Sequence, residues 1–148
     1  MTPAEINDPF ASIGGQRHGN IYKMHKNILG GFGTFSNPFH FTVSIAPLKM
    51  KKARLSVLPV TSQPKGKFGF QINLAKDSNV RAIGAEIIDK TSFVILSFQF
   101  NISPLDALNS SLCVFRGRLN PEVARKFANA RFTFIKSHYS RKKKDGKQ

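Results

Sequence analysis

Phe39-His40-Phe41-Thr42-Val43-Ser44-Ile45-Ala46 alternates apolar and polar residues without a break. Successive side chains of an extended chain point to opposite faces, so Phe39, Phe41, Val43 and Ile45 share one side and His40, Thr42 and Ser44 the other. The stretch predicts a strand buried on one face. The same period recurs around it. Ile21 to Leu29 reads as an earlier strand, and Gly30-Gly31-Phe32-Gly33 as a turn. Ala53 to Val60 is a strand stopped near Pro59, and Phe68, Phe70, Ile72 and Leu74 alternate in another. Asp77-Ser78-Asn79 marks a turn. The longest candidate follows Thr91-Ser92, with Val94, Leu96, Phe98, Phe100 and Ile102 on one face. Leu112 to Phe115 is the last short strand. Val80 to Lys90 fits a strand or a short helix equally well.

Two helix starts stand after the strands. Ser103-Pro104-Leu105-Asp106 offers a Ser N-cap, Pro in the first turn and an acid beside it. Asn109-Ser110-Ser111 keeps that helix short. Asn120-Pro121-Glu122 repeats the signal, and Val123, Phe127, Ala130 and Phe134 then recur at helical spacing. That helix is predicted to run to about Lys136. The expected fold class is α+β: a mainly antiparallel sheet of five or more strands with a C-terminal amphipathic helix packed on it. Short connections favour meanders over βαβ units. The expected organisation is a flexible arm over 1–20, one β-rich domain over 21–136 and a disordered basic tail over 137–148.

Charge dominates the composition. The chain has 23 Lys and Arg against 8 Asp and Glu, a net +15 in 148 residues. Its hydrophobic fraction of 41% is too high for a wholly disordered basic protein. The basic residues form three clusters: Lys49, Lys51, Lys52 and Arg54 at a strand turn; Arg116, Arg118, Arg125, Lys126 and Arg131 around the last helix; and Arg141, Lys142, Lys143 and Lys144 in the tail. A single such cluster reads as a solvated surface. Three with almost no acids among them point to a polyanionic partner, because like charges oppose compaction. Nucleic acid and an anionic membrane surface are the two candidates. The tail also matches a nuclear-localisation stretch.

Signals for catalysis are weak. His18, His25, His40 and His138 share no metal-ligand spacing. The acids are scattered, and there is no P-loop or serine elbow. The single cysteine, Cys113, excludes an internal disulfide and a cysteine-based zinc site. No cofactor is expected, and the chain is expected not to be an enzyme. Met1 to Asp8 lacks the layout of a secretory signal, position 2 is not glycine, and no apolar run reaches membrane-spanning length. Any membrane contact is therefore expected from the surface.

The last third carries a resemblance. Leu108-Asn109-Ser110, Val114-Phe115, Arg118-Leu119-Asn120 with Glu122, Lys126, Ala128-Asn129-Ala130, Phe132 and Phe134 resemble the C-terminal segment of bornavirus matrix proteins. More loosely, the layout is similar to matrix proteins of other non-segmented negative-strand RNA viruses, including rhabdoviruses. The resemblance implies a structural virion protein that self-assembles. It would coat the inner membrane face in the host cytoplasm and contact RNA or the nucleocapsid. The Pro-Pro-x-Tyr and Pro-Ser/Thr-Ala-Pro budding motifs of some matrix proteins are absent from this sequence. The alternative from the residues alone is a viral nucleic-acid-binding protein without a membrane role, such as a silencing suppressor, movement protein or capsid protein.

Overall fold

In the computed structural model the described residues are 19–30, 38–45, 55–79 and 91–145, with side chains as far as His138. The Lys49, Lys51, Lys52 and Arg54 cluster, the Gly31-Phe32-Gly33 part of the turn, the ambiguous Val80 to Lys90 and nearly all of the predicted arm lie outside them.

Among the described residues seven strands form one antiparallel sheet: β1 (Asn20–His25), β2 (Phe39–Ser44), β3 (Leu55–Thr61), β4 (Gly69–Asn73), β5 (Thr91–Ile95), β6 (Phe100–Ile102) and β7 (Cys113–Arg118). The spatial order is β4-β5-β3-β2-β1-β7, with β6 also paired to β3. Among the described residues three α-helices accompany them: α1 (Leu74–Asp77), α2 (Pro104–Ala107) and α3 (Pro121–Asp145). The α+β class and the C-terminal helix are as the periodicity predicts.

Local chemistry explains the ends. The Asn73 side chain accepts from Ala75 N and Lys76 N at 3.0 and 3.2 Å and starts α1. Ser103 Oγ accepts from Asp106 N at 3.3 Å, with Pro104 in the first turn of α2. The first predicted strand stops early. His25 Nδ1 accepts from Asn27 N at 3.1 Å, and Lys26–Leu29 turns into a 3-10 helix. The last helix runs beyond Lys136 to Asp145. Arg141, Lys142, Lys143 and Lys144 thus lie in helical backbone. Nothing in their charge forbids helix, because Lys and Arg are good helix formers.

The sheet is covered on both faces. On one, Ile21, Val43, Leu58, Ile72 and Val94 enclose Phe127 of α3, joined by Val123, Ala124, Ala130 and Phe134. On the other, Tyr22, Met24, Val57, Leu55 and Ile102 meet Leu29 and Ala107 from the short helical turns. The expectation of a half-buried β2 is therefore corrected. Thr42 and Ser44 are buried on its polar side. Ser44 satisfies its hydroxyl by accepting from Asn20 N at 3.0 Å.

The two edges of the sheet are drawn together. After β4, Ser78 bridges to Leu119 just beyond β7, Asn79 N donates to Arg118 O at 3.0 Å and Asn120 N donates to Asp77 O at 2.8 Å. The sheet curls around the first turns of α3. At its entrance stands Gly19, at φ +94°, where an added Cβ would lie 3.0 Å from that of Ala124.

The predicted long strand over Thr91 to Ile102 is divided. Val60 pairs with Val94 and Val57 with Phe100, so the segment holds three residues more than β3 does over the same reach. An odd insertion reverses the facing of a period-2 pattern. Val94 and Leu96 pack with Phe127, whereas Phe100 and Ile102 pack on the opposite face. Pro59 sits opposite this gap. Ser56 O accepts from Ile45 N at 3.0 Å, so Ser56 faces β2 and, by alternation, Pro59 faces away from it. Its missing N–H therefore falls where the ladder is already interrupted, and β3 continues through it to Thr61.

Candidate polyanion-binding face

The residues whose side chains are described are basic in their own right. Residues 19–30, 38–45, 55–79 and 91–138 carry eleven Lys and Arg against three acids, Asp77, Asp106 and Glu122, a surplus of +8. Much of it lies on α3. Between Glu122 and Asp145 the helix has eight Lys and Arg and no acid. At 1.5 Å per residue, its 25 residues extend about 37 Å.

Helical geometry divides these residues into two sets. Phe127, at the centre of the contact with the sheet, is fully buried. Arg125, Asn129, Phe132 and Lys136 lie within about 40° of the direction opposite to it, at 100° per residue. All four are exposed. Lys126 is exposed beside them and forms a 3.6 Å ion pair with Glu122, a solvent-screened contact of little energetic weight. The outward face thus presents Arg125 and Lys136 beside Phe132, which is 65% exposed, with Lys126 on its flank.

Arg131 is different, and here the sequence expectation is corrected. The sequence places it with the polyanion-binding cations, yet it is buried. Its guanidinium donates through Nη1 to Leu96 O and through Nη2 to Gln99 Oε1, the latter at 2.9 Å. It also lies 5.9 Å from the Phe134 ring centroid. Arg131 therefore clamps the insertion between β5 and β6. Arg116 is buried too, at the irregularity where Ile21 pairs with Gly117 and Tyr22 with Phe115. A bulge on an edge strand re-aims a side chain, and here it takes Arg116 out of the solvent-facing set. Arg118 is half-buried, with its guanidinium 5.7 Å from the Phe115 ring centroid. Of the second predicted cluster, Arg125 and Lys126 remain as exposed cations. Lys136 and Phe132 were missed as site residues. Their offset from the Phe127 stripe by about half a turn was the available signal.

On the opposite face of the sheet two large apolar side chains stand exposed. Leu105 and Leu108, on and just after α2, are 84% and 52% exposed, although their neighbour Ala107 is buried. Lys26 is exposed on the adjoining turn, which is tied to this region by His25 N donating to Leu112 O at 2.7 Å.

Among the described residues no three His, Cys, Asp or Glu side chains gather as metal ligands, and no helix is long and apolar enough to cross a membrane. Cys113 is buried on β7, and burial pushes its thiol up to about 12. A thiol held neutral in this way resists alkylation. Once pH passes the unfolded thiol's ordinary value of 9.0, unfolding releases a proton that the native state retains. Stability from this group is therefore complete below pH 9 and falls by about 1.4 kcal/mol per pH unit as pH rises towards 12. The wild-type unfolding midpoint should drop more steeply between pH 9 and 11 than that of Cys113→Ala. Parallel curves would contradict this.

Comparison with protein-family models, curated proteins and solved structures finds no match to this chain.

Proposed function

We propose that this chain is a non-enzymatic structural protein of matrix type, which self-associates and bridges RNA or a nucleocapsid to an anionic membrane face. The observation that carries this reading is the opposition of two surfaces. The cationic outward face of α3 covers one side of the sheet, and the Leu105–Leu108 projection stands on the other. A protein with one partner needs one such surface, and a bridging protein needs two. Exposed apolar side chains beside a cation suit the headgroup boundary. Each buried Leu contributes about 1.5–3 kcal/mol there, and each nearby cation about 1 kcal/mol. Phe68 and Phe98, 42% and 48% exposed, provide further apolar surface for contact between copies.

The test pairs RNA binding by fluorescence anisotropy with flotation on phosphatidylserine vesicles, both at about 0.1 M salt, and light scattering for subunit number. Binding to both ligands and a mass above one chain are expected. Replacing Leu105 and Leu108 together by Asp should reduce flotation about tenfold or more and leave RNA affinity within about twofold. A monomer that binds neither ligand would sink the proposal. Strong RNA binding without flotation would replace it by a nucleic-acid-binding protein with no membrane role.

A further inference from the structure

The exposed aromatic on α3 deepens this reading, on which it rests, by naming the form of nucleic acid. A 65% exposed Phe on a helix whose sheet-facing side is filled by Phe127, Ala130 and Phe134 contributes nothing evident to the core. What distinguishes this exposed ring is its charged surroundings. Its neighbours are Arg125, Asn129 and Lys136 on the same outward face, at 7 and 3 residues before it and 4 after it. No acid stands on the helix after Glu122 until Asp145.

Cations at about 6–10 Å on either side of a bare ring match the repeat of a phosphate backbone carrying unpaired bases. Duplex offers its phosphates to such a face but hides the faces of its bases. A single strand offers both, and every base has a π-face on which Phe stacks without sequence preference. We infer that the outward face of α3 binds single-stranded nucleic acid, with Phe132 stacking on a base and Arg125 and Lys136 contacting the flanking phosphates. Charge complementarity favours this occupant over a second copy of the chain, because two such faces would repel.

The experiment measures the affinity of the full chain for a single-stranded oligouridylate and for a duplex RNA of equal length, across a salt series. Phe132→Ala should weaken single-strand binding about 5- to 100-fold, the range spanned by loss of one aromatic–base stack. Duplex binding should change less than about twofold, and the salt slope for the single strand should be unaltered. Phe132→Trp should retain affinity and Phe132→Leu should lose it, because Leu keeps the apolar bulk and lacks the π-face. Arg125→Ala combined with Lys136→Ala should flatten the slope by about 1.4, at about 0.7 per phosphate. Equal single-strand affinity of Phe132→Ala and wild type would overturn the inference. So would a Phe132→Leu variant that binds RNA like wild type, or a Phe132→Ala variant that changes only oligomer mass or flotation. These results leave the polyanion-binding proposal standing, whereas a wild type that binds neither RNA nor vesicles removes both.

Discussion

Phe127→Ala is expected to cost about 3–5 kcal/mol of folding stability, the range for truncating a buried aromatic. Phe127 is fully buried, with its ring centroid 5.6 Å from that of Phe70 on the edge strand β4. It lies among Ile21, Val43, Leu58, Ile72 and Val94 from five strands. Its contacts with side chains from five strands place the cost high in that range. A domain of this size is stable by about 5–15 kcal/mol in all, so a large share is lost. Thermal unfolding followed by circular dichroism should show the midpoint falling by about 10–20 °C. Phe132→Ala, five residues along the same helix, should change stability by no more than about 0.5 kcal/mol. If the two variants melt together, the assignment of inward and outward faces is wrong.

Arg131→Ala should destabilise by about 2–4 kcal/mol although it removes one of 23 cations from a chain of net +15. The loss has a structural origin. Without the guanidinium, Leu96 O and Gln99 Oε1 lose a charged donor inside the fold. Arg131→Lys should recover little, because an ammonium does not reproduce the planar fork that reaches both acceptors. Arg125→Ala on the outward face should be neutral for stability and weaken polyanion binding. The two alanine variants thus separate by denaturant midpoint in one direction and by the RNA salt slope in the other. Arg131→Ala as stable as Arg125→Ala, with an equal loss of RNA affinity, would return Arg131 to the surface and refute the clamp.

How far the sequence can be read is seen at Thr91 to Ile102. The alternation Val94, Leu96, Phe98, Phe100, Ile102 is a sound strand signal, and both halves are strands on β3. What it conceals is the three-residue excess that sends the two halves to opposite faces. A period of 2 carries no record of where an odd insertion enters. The one local sign of the gap lies on the partner strand, in Pro59, which periodicity alone reads as a strand end. The same limit applies to the cations. Spacing places Arg131 about 40° from Phe127, at the border of the apolar stripe. Only the arrival of Leu96 O and Gln99 at that border makes it an internal group.

Short-range chemistry decided the strands, the two Pro-led helix starts, the excess of positive charge and the lack of a cysteine-based centre. Each depends on residues within a turn or two of one another, or on composition. Tertiary structure decided which faces are covered, the burial of Thr42 and Ser44, the joining of the sheet edges through Ser78 and Leu119, and the division of the cations on and around α3 into clamp and surface. These outcomes depend on contacts between segments tens of residues apart. Burial and pairing there are set by the neighbour that arrives in space, and no local pattern encodes that neighbour.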